Sequence, residues 1–320
     1  MLLFITPWTM ACDGCASGEE KAQPQTLEKS EGASIDPPEI PSLGSMTAGA
    51  RLRPRAEDLG PVDVSVLSYA GKVDVRNRYS SAVMVTTGDP KEGAQCSGVL
   101  IGSRLALTAA SCVCRSKEAG PANESMQLIN RTSCAERAFV MTVVYGTVHD
   151  PHTADMKVQA YAGTVRPHPG LELRFDAQSS VVTSRADLAV ILLETPVESG
   201  TLHARLLDSE VETSEPFVTA GYGHDGAVEQ IFGQRYFRGN KVTRASSPAD
   251  ERFSYAQQGV DVHAHHNGWS CFREDESGQW LVGVSSWASG GGASCVSTFF
   301  HRDWLRAEVQ HAAATQEERQ

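Results

Sequence analysis

Three histidines lie close together in the last third of the chain, at His263, His265 and His266. Imidazole nitrogens are common ligands of zinc and of other transition metals, and His224 or Asp261 could add a further ligand. The same cluster is also typical of a polar surface loop, which is the interpretation we favour. We therefore expect no metal and no cofactor, and we keep a metal site at the three histidines as an alternative.

A serine, Ser270, follows this cluster along the chain. A serine hydroxyl becomes a nucleophile for acyl transfer only beside a base that takes its proton. The base in turn needs a carboxylate that orients it, and the reaction needs backbone N–H groups that bind the oxyanion. The histidines are candidate bases by sequence position alone, so the fold must decide whether they can act on Ser270.

Cysteines indicate that the chain folds in an oxidising compartment. Their number is even, and six of the eight lie in the later part of the chain, which favours disulfides. Zinc is the alternative, but Cys112 and Cys114 are separated by one residue instead of the two found in common zinc motifs. The cysteines are Cys12, Cys15, Cys96, Cys112, Cys114, Cys134, Cys271 and Cys295.

The composition is that of a globular protein and excludes two classes of function. The chain has 320 residues, of which 41% are apolar and 21% charged. No apolar run reaches about 18 residues, so we expect no membrane-spanning helix. The net charge of -11 argues against nucleic-acid binding, which needs a basic face to displace counterions.

The first 61 residues differ in amino-acid composition from the rest of the chain. Residues 16–61 contain no Phe, Tyr, Trp or Val and are rich in Pro, Ser, Glu and Gly, which predicts a disordered linker. Residues 1–15 are typical of an export signal truncated at its start, in which Cys12 would be lipidated; an ordinary chain end is the alternative. We therefore expect an exported protein, either secreted, periplasmic or a cell-surface lipoprotein.

Short β-rich runs separated by turn residues fill the predicted domain, residues 62–312, and a tail follows at 313–320. Runs of this length and spacing indicate an antiparallel all-β sandwich or barrel. Helix is predicted only at LTAASC and at Arg302–His311. The runs are SSAVMVTTG, CSGVLIGS, ERAFVMTVVYGT, MKVQAYAGTV, ADLAVILLE, EPFVTAGYG, QRYFRGNKVTRA and QWLVGVSSW.

The segment CSGVLIGSRLALTAASC, residues 96–112, resembles the one that carries the catalytic histidine in trypsin-like serine proteases. That family has C-G-G-x-L-I and then T-A-A-H-C, with its two cysteines at the same spacing. Further similar segments follow in family order between residues 79 and 312. The resemblance implies two six-stranded antiparallel β-barrels, a cleft between them and a C-terminal helix. These segments are VRPHPG (165–170), ADLAVILL (186–193), FVTAGYG (217–223), LVGVSSW (281–287) and DWL (303–305).

The resemblance also implies roles for single residues. Asp187 occupies the position of the catalytic aspartate, and Ser286, Trp287 and Ala288 would form part of the substrate-binding wall. The position of the catalytic histidine holds Ser111. Because a serine hydroxyl cannot accept a proton near neutral pH, this change alone should lower turnover by about 10⁴ to 10⁶.

The family's G-D-S-G-G-P motif has two competing alignments here. In the first, residues 268–273 match it and Ser270 is the nucleophile. In the second, residues 265–269 match its D-S-G-G-P part, so that His266 replaces the serine and Gly268 keeps a motif glycine. Both lose the motif's aspartate, and residues 71–78 lack an I-V-G-G-like start. Activation by proteolytic cleavage is therefore not expected.

Three disulfides are expected within the domain. The resemblance implies Cys96–Cys112. Cys114 and Cys134 bracket a polar insertion, and closing such a loop would contribute about 3 kcal/mol. Cys271 and Cys295 remain for each other, although neither alignment of the nucleophile motif places Cys271 at the family's position.

These observations predict a non-catalytic binding module, an exported pseudoprotease with a degenerate triad of Ser111, Asp187 and Ser270. Its partner would be a protein or peptide that the sequence does not identify. The first alternative is an active serine hydrolase that uses Ser270 with an unconventional base. The second is the metal-binding protein built on the three histidines. Asp187 could also be structural, hydrogen-bonded to backbone or to Ser111.

Overall fold

The computed structural model describes residues 71–90, 96–119, 126–146, 156–198, 201–222, 234–256, 267–276, 278–286 and 292–317. The predicted signal, lipidated cysteine and linker lie outside these residues. In chain order the strands are β1 (Lys72–Val73), β2 (Ala82–Thr86), β3 (Cys96–Gly102), β4 (Leu105–Thr108), β5 (Lys117–Ala119), β6 (Met126–Asn130), β7 (Arg137–Tyr145), β8 (Met156–Pro167), β9 (Glu172–Phe175), β10 (Val181–Arg185), β11 (Ala189–Leu193), β12 (Arg205–Leu206), β13 (Pro216–Gly221), β14 (Tyr236–Arg244), β15 (Arg252–Tyr255), β16 (Ser270–Asp275), β17 (Gly278–Ser286) and β18 (Ala293–Ser297).

Six antiparallel strands close the N-terminal barrel, in the order β11-β4-β3-β2-β7-β8. Val83, Leu100, Val140 and Ile191 are fully buried in its interior. Closure leaves no free strand edge in the barrel, so all six strands pair on both sides.

The C-terminal barrel is also closed by six strands. Strands β14, β13, β16, β17, β18 and β15 pair in that order, and β14 pairs with β15 to complete the ring. Phe217, Phe253 and Val282 form its core together with the Cys271–Cys295 disulfide. The predicted fold of two six-stranded barrels is therefore confirmed.

A second apolar cluster joins the two barrels. It contains Leu107 of the N-terminal barrel and Phe272 and Leu281 of the C-terminal barrel, all fully buried. Leu305 of helix α1 (Arg302–Glu317) packs into the same cluster. The predicted C-terminal helix is thus confirmed, and no helix in the described part of the chain is long and apolar enough to cross a membrane.

The predicted helix at LTAASC is wrong in type. Leu107 and Thr108 end strand β4, which pairs with both β3 and β11, and only Ala110–Cys112 form a single 3₁₀ turn. The strand pairing on both sides leaves these residues no helical alternative. The turn is fixed by the Cys96–Cys112 disulfide, which is confirmed together with Cys114–Cys134 and Cys271–Cys295.

A four-stranded sheet, in the order β10-β9-β6-β5, lies outside both barrels. Two separate insertions supply it. Strands β5 and β6 lie between β4 and β7, inside the loop that Cys114–Cys134 closes, and β9 and β10 lie between β8 and β11. No sequence motif predicted that these two segments pair with each other.

Candidate functional site

Asp187 is fully buried where the two barrels meet. It lies between β10 and β11, next to Ala186, whose φ of 45° turns the chain sharply ahead of β11. Oδ1 accepts a 2.7 Å hydrogen bond from the backbone N–H of Ser111. Oδ2 accepts from the hydroxyls of Ser111, at 2.9 Å, and Ser286, at 2.6 Å. Serine and backbone donors thus supply every hydrogen bond that Asp187 accepts within the described residues.

These three residues come from different elements. Ser111 belongs to the 3₁₀ turn after β4, and β4 pairs with β11 at Thr108 and Ala189, so the turn lies beside Asp187. Ser286 is the last residue of β17 in the C-terminal barrel. The carboxylate therefore links the two barrels.

Burial raises the pKa of Asp187, and the hydrogen bonds from Ser286 and Ser111 act against that rise. A carboxylate removed from water is stable only when its oxygens are paired. The hydroxyl of Ser111 supplies one of those pairings. In this arrangement Ser111 acts as a hydrogen-bond donor, the opposite of what a general base does.

Ser270 opens strand β16 and is fully buried. Its backbone pairs with Ala220 of β13 and with Val284 of β17. Its hydroxyl donates to the carbonyl oxygen of Gly98 at 3.4 Å. Within the described residues this hydroxyl contacts neither a histidine nor a carboxylate.

Gly268 marks the turn before this strand. Its φ is +81°, and a Cβ added there would lie 1.9 Å from the carbonyl oxygen of Ser97. Only glycine combines this left-handed conformation with such a close approach to a neighbouring strand. Trp269 then points inward, 5% exposed, and its indole N–H donates to the carbonyl of Tyr222 at 2.8 Å.

Other predicted site residues lie outside the described part of the chain. They are Cys12, His224, Asp261, His263, His265, His266, Trp287 and Ala288. Among the residues that are described, no group of three His, Cys, Asp or Glu side chains could hold a metal ion.

A chain of two histidines and a glutamate lies behind Asp187. Glu251 accepts a hydrogen bond from the backbone N–H of Ala186 and lies 3.3 Å from Nε2 of His301. Nδ1 of His301 lies 3.2 Å from Nε2 of His168. Nδ1 of His168 accepts from the backbone N–H of Gly170 at 3.0 Å.

The contacts of His168 indicate its tautomer. Since its Nδ1 accepts from the backbone N–H of Gly170, its Nε2 carries the proton and donates to Nδ1 of His301. Nε2 of His301 lies 3.3 Å from the carboxylate of Glu251, and among the described residues it has no hydrogen-bond partner. Burial and the neighbouring His301 ring lower the pKa of His168 to about 4. This chain holds the sharp turn at Ala186 that places Asp187.

A second buried cluster anchors the chain ahead of the first barrel. Asp74 accepts hydrogen bonds from the backbone N–H groups of Arg78 and Tyr79, each at 2.8 Å. It also pairs with Arg235 at 2.8 Å, and both side chains are almost completely buried. Arg235 donates further to the hydroxyl of Tyr222. This segment is therefore held by an internal ion pair.

No protein-family model matches the chain, and no curated protein matches it. Solved structures do match. A mutant of human heparin binding protein shares 17% identity over 76% of this chain and 97% of its own, with a TM-score of 0.51. The chain has the fold of the trypsin-like serine proteases. The scabies mite inactivated protease paralogue S-I1 also shares 17% identity, over 76% and 99% of the two chains, with a TM-score of 0.52.

The four-stranded sheet stands outside the two barrels of this trypsin-like fold. One of its edge strands, β10, ends at Arg185, two residues before Asp187. The chain therefore passes from this sheet directly into the turn at Ala186 that precedes Asp187. Local motifs pointed to Asp187, to Ser111 and, as part of the substrate-binding wall, to Ser286, whereas no local signal marked Glu251.

Proposed function

We propose that this chain is an exported, non-catalytic pseudoprotease that binds a protein or peptide partner. The observation that carries the proposal is the hydrogen bond from the Ser111 hydroxyl to the Asp187 carboxylate. The family resemblance implies a histidine at position 111. A serine that donates to the aspartate fills the role of a hydrogen-bond partner and leaves the described part of the site without a base.

The position of Ser270 supports the same proposal. A nucleophile must reach the substrate, whereas Ser270 is fully buried and donates to a backbone carbonyl. We therefore favour the second alignment of the nucleophile motif, in which His266 replaces the serine. The left-handed conformation and tight packing of Gly268 support it, because this alignment keeps that residue as a motif glycine.

Export is supported by the three disulfides, which persist in oxidising compartments. We include in the proposal a lipid anchor on Cys12. The two similar solved structures are described by their names as a heparin binding protein and an inactivated protease paralogue. At 17% identity these two structures show the fold and not the function. The proposal therefore rests on the site alone.

The test is the intact mass of the purified full chain after incubation with a fluorophosphonate, which adds covalently only to an activated serine. We expect no adduct, while trypsin treated in parallel labels fully. A single adduct mapped to Ser270 by digestion would overturn the proposal and favour the active serine hydrolase. Ser270→Ala is the matched control, since it would remove such an adduct.

A further inference from the structure

The four-stranded sheet has one face that packs inward and one that faces outward. Ile129, Leu173, Phe175 and Val181 are buried, and they belong to the same apolar cluster as the interior residues of the N-terminal barrel. Because side chains alternate along a strand, the residues between them occupy the other side. We call that side the outer face.

Basic residues dominate the outer face. Cross-strand pairing places Lys117, Leu128 and Arg174 side by side, on β5, β6 and β9. Arg185 of β10 pairs with Glu172 of β9, two residues from Arg174 on the same side. Lys117, Arg174 and Arg185 are all exposed.

Acidic residues do not balance these cations. In the four strands the outer face carries Glu172, which pairs with Arg174 at 2.8 Å, while Glu118 alternates to the opposite face. The chain as a whole has a net charge of -11. The outer face is therefore a local reversal of the protein's charge, and such a patch attracts anionic partners.

Apolar side chains lie among the cations. Leu128 stands between Lys117 and Arg174. Val182 is the bulge residue of β10, next to Thr183, which pairs with Arg174, and it is 56% exposed. Strands in a sheet lie about 4.8 Å apart, so Lys117 and Arg174, two strands apart, stand about 10 Å from each other. The side chains of an extended peptide that face one way repeat every 7 Å or so, which is within reach of flexible Lys and Arg side chains.

We propose that the outer face binds an extended acidic segment of a partner protein, with carboxylates at Lys117, Arg174 and Arg185 and apolar side chains at Leu128 and Val182. This inference rests on the proposed function, because it names the partner class of the binding module. A sulfated polysaccharide would match the cations, but it has no apolar side chains for Leu128 and Val182. The mixed character of the face therefore favours a polypeptide.

The test is fluorescence anisotropy with the full chain and a labelled peptide that alternates Glu and Leu. The variant reverses three charges, Lys117→Glu, Arg174→Glu and Arg185→Glu. The control reverses three exposed charges elsewhere, Lys72→Glu, Arg76→Glu and Lys241→Glu. We expect at least tenfold weaker binding in the first and less than a twofold change in the second. Equal weakening in both, or no binding by the wild type, would overturn the proposal.

The variant Leu128→Ser distinguishes an acidic peptide from a sulfated polysaccharide as the ligand of the outer face. We expect this variant to weaken binding of the peptide and to leave binding of a heparin oligosaccharide unchanged. An oligosaccharide that binds more tightly than the peptide, with neither affected by Leu128→Ser, would overturn the proposal in favour of a glycan surface. Fluorophosphonate labelling reports separately on the proposed function, so a labelled protein with intact peptide binding would refute only the non-catalytic proposal.

Discussion

The hydroxyl of Ser111 donates a 2.9 Å hydrogen bond to Oδ2 of Asp187. The same oxygen accepts from Ser286, and Oδ1 accepts from the backbone N–H of Ser111. Both oxygens of the carboxylate thus accept hydrogen bonds from groups that hold it in place. A site of this kind stabilises the junction of the two barrels without needing an imidazole.

Asp187→Asn should flatten the dependence of stability on pH. Burial raises the folded-state pKa of Asp187 above its ordinary value of about 4. A group whose pKa is raised by folding contributes stability at pH values below its unfolded-state pKa. That contribution is lost as pH rises through its folded-state pKa, and the free energy of unfolding falls by at most about 1.4 kcal/mol per pH unit. Urea unfolding at a series of pH values measures this loss, which we expect in the wild type and not in the variant.

Identical profiles for the wild type and Asp187→Asn would contradict the prediction, because they would mean that Asp187 does not titrate differently in the folded chain.

His168 should titrate near pH 4, well below an ordinary histidine. Burial and the His301 ring lower its pKa to about 4, and protonation at Nδ1 would also break the hydrogen bond from Gly170. The pKa of His168 is lower in the folded chain than its unfolded value of about 6.5. The stability that neutral His168 contributes to the fold is therefore present above pH 6.5 and is lost as pH falls towards 4. An NMR titration of the imidazole Cε1–H signals measures the pKa directly.

The assignment for that titration comes from His168→Asn, which removes one signal. A His168 signal with a midpoint near 6.5 would refute the hydrogen bonds of His168 with Gly170 and His301. A midpoint near 4 would support it, and His301→Asn should then raise the midpoint because it removes the neighbouring ring.

Local motifs predicted the barrels and the residues around Asp187, because each motif is one strand or one turn. The segment 96–112 became β3, β4 and the Ser111 turn, and LVGVSS became the end of β17. The contacts between Glu251, His301 and His168 could not be predicted, since the three residues are far apart in sequence and the VRPHPG segment around His168 gives no sign of its partners. The four-stranded sheet was also not predicted, because two separate insertions form it.

Gly268→Ala should destabilise the protein severely. A Cβ there would lie 1.9 Å from the Ser97 carbonyl oxygen, and the φ of +81° is strained for any residue with a side chain. Overpacking and left-handed strain together should cost about 2–5 kcal/mol. Thermal and urea unfolding measure the loss.

Gly292→Ala is the matched control, because a Cβ there meets nothing within 4 Å. We expect that variant to change the free energy of unfolding by less than about 0.5 kcal/mol. Similar stabilities for the two variants would show that Gly268 does not pack against β3 as described.

Restoring the base alone should not restore a reactive serine. In Ser111→His the imidazole would regain Asp187 as its partner, but Ser270 would remain buried against Gly98. We therefore expect no fluorophosphonate adduct from this variant, whereas Ser111→His combined with His266→Ser should give an adduct at residue 266. Labelling of Ser270 in the single variant would show instead that the first alignment is correct and that only the base was missing.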